Sequence, residues 1–173
     1  MSGRPDEPKP PPSQPPASAG PSPGLLRPLP QDLDAERAAL GSCIQEREAI
    51  GEVISALRDA GPAAFSRESH QQLFNVLTDV YTSGQDVDGV VLKSELERRG
   101  LWEKLGGFDF LGGLMDSVPS SLRAAYYAGI VYDKYLLRQL IGATHRVAER
   151  ALDNDLPARE LLDYAEKEVF DVT

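Results

Sequence analysis

The chain has few of the residues that disulfide-bonded, metal-binding and membrane proteins depend on. It contains one cysteine, one tryptophan and two histidines in 173 residues. A single cysteine cannot form an intramolecular disulfide, and two widely separated histidines without a second cysteine give no zinc-ligand spacing. Neither a signal-peptide apolar segment nor a run of about 20 apolar residues, as a membrane-spanning helix needs, is present. These absences favour a cytoplasmic chain without a membrane segment.

The sequence also lacks the motif that would bind a nucleoside triphosphate. A phosphate loop reads GxxxxGK[ST], and no glycine of this chain is followed by a lysine. His70 falls on the inward face of a predicted helix, which favours a packed, hydrogen-bonded core histidine. Cys43, beside Ile44, is typical of a small core residue rather than of a nucleophile. We therefore predict no catalytic, cofactor-binding or metal-binding residue.

Proline is concentrated at one end of the chain. Eleven of the 14 prolines lie in the first 30 residues. Such a segment buries too little apolar surface to offset the entropy cost of ordering it. Residues 1–27 are therefore predicted to form a disordered, solvated tail with partial polyproline II character.

The charge balance argues against a nucleic-acid-binding surface. Residues 31–173 carry 15 basic and 25 acidic side chains, a net charge of −10 within a chain total of −9. Proteins bind the negatively charged phosphate backbone through positively charged surfaces. Direct binding of DNA or RNA is therefore expected to be weak or absent, and proteins are the expected partners.

Residues 28–119, here called the head, show helical periodicity in several short segments. Asp32 or Asp34 is placed to cap the first helix. Apolar residues recur at i, i+3, i+4 and i+7 from Ile50 to Leu57, and Asp88 opens a later helix before Gly100 ends it. No segment alternates with a period of two for long enough to predict a strand. The predicted fold class is all-α.

Residues 120–173, here called the hairpin, are predicted to form two long antiparallel helices. The first runs from Ser121 to about Leu152 and the second covers Pro157–Phe170. The first half of the long helix is apolar on two faces, whereas the second helix offers a single apolar stripe. One stripe cannot cover two faces, so the long helix must also pack on the head, on a second chain, or on both.

This surplus of apolar residues predicts where a partner binds. The candidate interface residues are Tyr127, Val131, Tyr135, Leu140, Ile141, Ala148, Leu161, Leu162 and Ala165. The first three form an aromatic face, and the next three are expected to face the last three across the hairpin. Asp133, within the main apolar stripe, either reaches a neighbouring arginine such as Arg138 or sets the register between subunits. Arg146 is expected on the outer face.

Four segments carry a family resemblance. They are QDLDAERAALGSCI, the F-x(4)-H-x(3)-F spacing of Phe65, His70 and Phe74, SGQDVDGVVLKSELERRG, and GGFDFLGGLMDSVPSSLRAAYYAGIVYDKYLLRQLI. In this order and spacing they resemble the N-terminal domain of the bacterial hexameric replicative DNA helicase, the DnaB family. The resemblance covers about residues 28–171.

The resemblance implies an assembly role. In that family the hairpins of neighbouring subunits pair, and six domains form a collar of three dimers on which the helicase-binding domain of primase docks. A helicase loader is a further possible partner. ATP and magnesium are expected only in the family's RecA-like motor domain, which is absent from this chain. The alternative is a stand-alone regulatory protein with the same domain that binds the helicase collar.

Overall fold

The part of the chain that the structure describes folds into helices. The computed structural model describes residues 27–118, 123–154 and 156–172. Over these ranges it contains eight α-helices and no strand, which confirms the all-α prediction. The helices are α1 (Leu33–Gln45), α2 (Arg47–Leu57), α3 (Glu68–Thr82), α4 (Gly89–Arg98), α5 (Trp102–Leu105), α6 (Gly107–Met115), α7 (Ala124–Asp153) and α8 (Ala158–Phe170). Residues 1–26 of the predicted tail, and Ser121 with Leu122, lie outside the described residues.

Acidic side chains begin two of the head helices. The carboxylate of Asp32, not that of Asp34, accepts a hydrogen bond of 2.9 Å from the backbone N–H of Ala35 at the start of α1. The carboxylate of Asp88 accepts two, from Val90 and Val91, at the start of α4. Each bond satisfies a backbone donor that the first helical turn leaves unpaired. The two caps fix where these helices start.

Phenylalanine, leucine and alanine side chains form one core. This core holds together helices α1, α2, α3, α4 and α6 and the first half of α7. Phe65 and Phe74 pack with ring centroids 5.1 Å apart, and both are buried. Ala124, Ala128 and Val131 of α7 belong to the same core. The first half of α7 therefore completes the head instead of standing apart from it.

Beyond the head, α7 continues and pairs with α8 as an antiparallel hairpin. Arg146 of α7 donates a hydrogen bond of 2.6 Å to Glu168 of α8, and the guanidinium of Arg150 lies 5.6 Å from the centroid of the Tyr164 ring. From Arg146 to Arg150 the contact moves four residues towards the C-terminal end of α7, while its partner moves four residues towards the N-terminal end of α8. The two helices are therefore antiparallel. We call residues 136–172, which hold the second half of α7 and all of α8, the arm.

Candidate protein interface

The arm buries little of its own surface. Of its described residues, Ala143 alone is fully buried, and α8 has no buried residue. The half-buried residues of α8 are Leu161, Tyr164, Ala165 and Glu168, which recur at i, i+3, i+4 and i+7. This stripe faces α7 and leaves the rest of α8 in solvent. A two-helix unit of this kind has too small a core to be stable without other contacts.

Large apolar side chains are exposed on the arm. Their exposed fractions are 46% for Leu137, 38% for Leu140, 43% for Ile141, 85% for Leu152, 69% for Leu162, 46% for Val169 and 80% for Phe170. We call Leu137, Leu140, Ile141, Leu162 and Val169 the arm patch. Leu137, Leu140 and Val169 also line a groove of ≈ 480 Å³ between α7 and α8. Exposed apolar side chains that lie together on a protein surface mark interaction sites, and Leu137, Leu140 and Val169 lie together in this groove.

The predicted aromatic face lies against the head. Val131 is 1% exposed and belongs to the head core, while Tyr127 and Tyr135 are half-buried against that core. The physical reason is that α1, α2 and the 3₁₀ turn Arg58–Ala64 cover this side of α7. Val131 is therefore not available at the surface. The sequence left open whether the head, a second chain or both cover the long helix. On this face the covering is the head.

The pairing across the hairpin also differs from the predicted one. Leu140 lies beside Val169 and Val172, not opposite Leu161 and Leu162. Leu161 and Ala165 are half-buried on the α8 stripe, whereas Leu162 and Ala148 are exposed. Leu162 is one residue, or about 100° of helix rotation, away from the stripe. Its side chain is consequently largely exposed to solvent.

Two charged residues on α7 have other partners than expected. Arg146 is not on the outer face: its guanidinium donates through Nε and Nη2 to one carboxylate oxygen of Glu168. Arg138 does not reach Asp133 but donates to the backbone carbonyls of Pro30, at 2.9 Å, and Ala64, at 2.5 Å. Asp133 is exposed and lies at the edge of the arm groove.

The head contains a buried acid–histidine pair. The sequence predicted a hydrogen bond for His70 but not its acidic partner. Nδ1 of His70 lies 2.6 Å from Oε2 of Glu36, and the backbone N–H of Ser66 donates to Oε1 at 2.8 Å. Burial opposes the charged form of Glu36, but the hydrogen bonds from His70 and Ser66 outweigh it and hold the pKa of this carboxyl below its ordinary value. The pair ties α1 to α3, so its role is structural.

The remaining chemistry-bearing side chains of the described ranges offer no second kind of site. His70 is a buried, hydrogen-bonded histidine, and burial raises the pKa of the Cys43 thiol to about 12. No group of three or more histidine, cysteine or acidic side chains within these ranges could hold a metal ion. None of the helices described is both long and apolar enough to cross a membrane.

Fold and surface together define a class: a helical domain with a closed head and a projecting, incompletely covered helical arm. The family model for the DnaB-like helicase N-terminal domain matches residues 28–133. The chain belongs to this family.

Relatives and solved structures agree with this membership. The chain is 38% identical over 154 residues to the replicative DNA helicase DnaB of Mycobacterium leprae, covering 88% of this chain and 25% of that protein. It is 34% identical over 143 residues to the replicative DNA helicase DnaC of Bacillus subtilis, covering 83% and 31%. The chain thus spans about a quarter to a third of the length of these relatives.

The fold matches solved helicase structures. The N-terminal domain of DnaB helicase from Mycobacterium tuberculosis superposes with a TM-score of 0.75 at 37% identity, covering 83% of this chain and 99% of that one. A DnaB-like replicative helicase, whose structure was described with its interactions with primase, superposes with a TM-score of 0.66 at 25% identity, covering 82% and 32%.

Proposed function

We propose that this domain acts in the collar of a replicative DNA helicase, where it joins subunits and provides a docking platform for primase. The arm patch is the observation that carries the first part. Its five apolar side chains lie outside both the head core and the α7–α8 stripe. A second copy of the arm presents the same patch, so a two-fold contact between arms covers both at once.

Docking of primase is supported by the family and by one solved relative. That relative is a DnaB-like helicase described with its interactions with primase. The charge of this domain, net −10 over residues 31–173, favours a protein partner over nucleic acid. A helicase loader is a second protein partner that such a platform could serve. Cytoplasmic location is part of the same proposal.

The chemistry of unwinding belongs, in this proposal, to a separate motor domain. Residues 1–173 contain no GxxxxGK[ST] sequence, whose lysine and backbone amides hold the phosphates of ATP. ATP and magnesium are therefore cofactors of the motor and not of this domain. The purified chain is expected to show no ATP hydrolysis that co-purifies with it.

Self-association through the arm patch is tested with Leu162→Asp. Leu162 is 69% exposed, so the charge does not disturb the α7–α8 stripe and the fold should survive. We expect the variant to remain monomeric across a concentration series in sedimentation equilibrium, where the parent associates. Val90→Asp is the matched control, because Val90 is also apolar and 80% exposed but lies on the head.

Two outcomes would refute this part of the proposal. One is a Leu162→Asp variant that associates as strongly as the parent, with circular dichroism showing unchanged helix content. The other is a loss of association in Val90→Asp alone. Primase docking is tested separately, by titrating the parent with the helicase-binding domain of primase in a calorimeter. The absence of binding there would remove the docking role and leave the association role standing.

A further inference from the structure

A pocket of ≈ 380 Å³ lies on the head, between α1, α6 and the start of α3. Its apolar walls include Leu33 of α1, Leu114 of α6 and the ring of Phe110. The imidazole of His70 also lines it, stacked with the Phe110 ring at a centroid distance of 6.2 Å. We call this cavity the histidine pocket. It shares no residue with the arm patch, so binding there is independent of association through the arm.

One polar atom of this pocket has no hydrogen-bond partner in the described part of the chain. Nδ1 of His70 is held by Glu36, but no described residue bonds to Nε2 on the other side of the ring. His70 is 4% exposed, and Nε2 is not one of the polar atoms that are sealed from solvent without a partner. Side chains this buried ordinarily have their polar atoms satisfied. Because His70 lines the histidine pocket, a ligand in this pocket can reach Nε2.

A glycine keeps space open in the histidine pocket. Gly113 of α6 lines it, and a Cβ added there would meet no atom within 4 Å. Gly41 differs, because a Cβ at that position would collide with the carbonyl oxygen of Leu114 where α1 packs on α6. Glycine is unfavourable inside a helix, and packing explains it at Gly41 but not at Gly113. A larger side chain at position 113 would take up part of the pocket.

The hydrogen-bonding capacity of Nε2 favours a hydroxyl group. In a neutral imidazole whose Nδ1–H donates to a carboxylate, Nε2 is an acceptor, and in the protonated ring it is a donor. A hydroxyl can donate to the first form and accept from the second. A carboxylate suits only the protonated ring, and an ammonium group suits only the neutral one. A hydroxyl is therefore the group that satisfies Nε2 of His70 in both forms.

The rim and the walls of the pocket narrow the choice to a phenol. The rim carries two positive and two negative exposed side chains, which are Arg37, Arg67, Asp34 and Asp109. Equal numbers of the two signs give no net attraction for an anion or a cation. The Phe110 ring and the two leucines offer an apolar surface to another ring.

The size of the pocket suits a single side chain. Its ≈ 380 Å³ lies towards the small end of ligand pockets, which span roughly 300–1,000 Å³. Tyrosine combines a ring with a hydroxyl and is enriched at protein interfaces. We infer that the histidine pocket binds a tyrosine side chain of a partner protein, with the hydroxyl on Nε2 of His70 and the ring against the apolar walls.

The test titrates the full chain with N-acetyl-tyrosinamide, which carries the phenol without a free charge. In protein labelled with ¹⁵N-histidine, the Nε2 signal of His70 should shift and saturate, with a dissociation constant on the order of 1 mM for so small a ligand. His145 is the internal control, because its side chain is 51% exposed on α7 and does not line the pocket. N-acetyl-phenylalaninamide lacks only the hydroxyl and should bind about three- to tenfold more weakly.

Two glycine variants show whether the pocket causes the shift. Gly113→Leu should abolish it by filling the pocket. Gly112→Leu is the matched control, because Gly112 is the neighbouring position of α6, is equally free of atoms within 4 Å of its Cβ position, and does not line the pocket. Leucine is favoured over glycine in a helix, so both variants should keep the helix content, which circular dichroism checks.

Four results would overturn the assignment of a tyrosine to this pocket. They are the absence of a saturable shift at His70, equal affinities for the two amides, a shift that Gly113→Leu retains, and a loss of the shift in Gly112→Leu as complete as in Gly113→Leu. Two further probes test the source of the ligand. Tighter binding of acetate than of N-acetyl-tyrosinamide would make this an anion site. Free tyrosine that binds tenfold more tightly than its blocked amide would make the ligand a free amino acid instead of a partner protein.

Discussion

The head and the arm are built from the same kind of amphipathic helix, yet they differ in how much they bury. The head encloses a continuous core of phenylalanine, leucine, valine and alanine side chains, including the buried rings of Phe65 and Phe74. The arm fully buries one described residue, Ala143, and leaves seven large apolar residues partly or mostly exposed. Helix formation alone therefore does not make a stable unit. The head is stabilised by its own core, whereas the arm depends on its continuity with the first half of α7.

The largest contrast should appear when apolar side chains are truncated in the two regions. Phe74→Ala removes a fully buried ring from the head core and should cost about 3–5 kcal/mol of unfolding free energy. Leu162→Ala, on the arm, should change it by no more than about 0.5 kcal/mol, as exposed substitutions usually do. Urea denaturation of dilute protein, followed by circular dichroism, measures both. Equal costs would mean that the arm has a hidden core of its own.

A smaller effect is expected from the buried polar pair that distinguishes the head. Glu36→Ala leaves His70 and the N–H of Ser66 without their acceptor, which should cost about 1–3 kcal/mol. Because the pKa of Glu36 is lower in the folded chain than its ordinary value of 4.5, the stability it contributes is present at neutral pH. That contribution is lost as the pH falls below this value and through the lowered folded-state pKa.

The pH dependence gives the same prediction a second measurement. Glu36→Gln cannot ionise, so the part of the acid destabilisation that belongs to Glu36 should disappear in this variant. Thermal melts of parent and variant between neutral and acidic pH measure the difference. Asp34→Asn is the control, because Asp34 lies on the same helix and does not accept the His70 hydrogen bond. Parallel curves for parent and Glu36→Gln would show that this pair does not contribute to acid unfolding.

The ion pair on the arm should matter less than the pair in the head. Arg146 and Glu168 join α7 to α8, but the side chain of Arg146 is half exposed, so water and salt weaken the contact. Arg146→Ala should therefore lower the melting temperature by less than Glu36→Ala does, and high salt should shrink the difference. Arg159→Ala, at the exposed start of α8, is the control. An effect larger than that of Glu36→Ala would reverse the ranking of the two regions.

The smallest expected signal is binding to single-stranded DNA. Neither the head nor the arm offsets the net charge of −10 over residues 31–173. Affinity at physiological salt should be no better than the roughly 10⁻⁴–10⁻⁶ M of non-specific binding. Fluorescence anisotropy with a labelled oligonucleotide checks this over a salt series. Submicromolar binding would require a local basic surface that the overall charge conceals.

Much of the head was predictable because its signals are local. Asp32 and Asp88 cap helices as short-range chemistry requires, and the inward position of His70 follows from helical spacing. The Glu36 partner of that histidine was not predictable, because the two residues are 34 positions apart and meet only in the folded chain. Local patterns fix where helices lie but not which buried polar groups pair.

The interface residues were harder to predict for a related reason. Val131 and Leu137 are both apolar and lie on different sides of α7, and periodicity does not say which side the head covers. On α8, Leu161 and Leu162 are adjacent leucines, and a rotation of about 100° decides which one faces α7. Tyr164 and Glu168 contribute to the observed stripe although neither is a typical core residue. Only the packing of the helices resolves these choices.

The length of α7 has a mechanical consequence. One helix of 30 residues, about 45 Å long, runs without a break from the core of the head to the far end of the arm. No loop interrupts this helix between the two regions. The head can therefore change its orientation relative to the arm only if α7 bends and its backbone hydrogen bonds are distorted. A force that rotates the head should therefore rotate the arm with it.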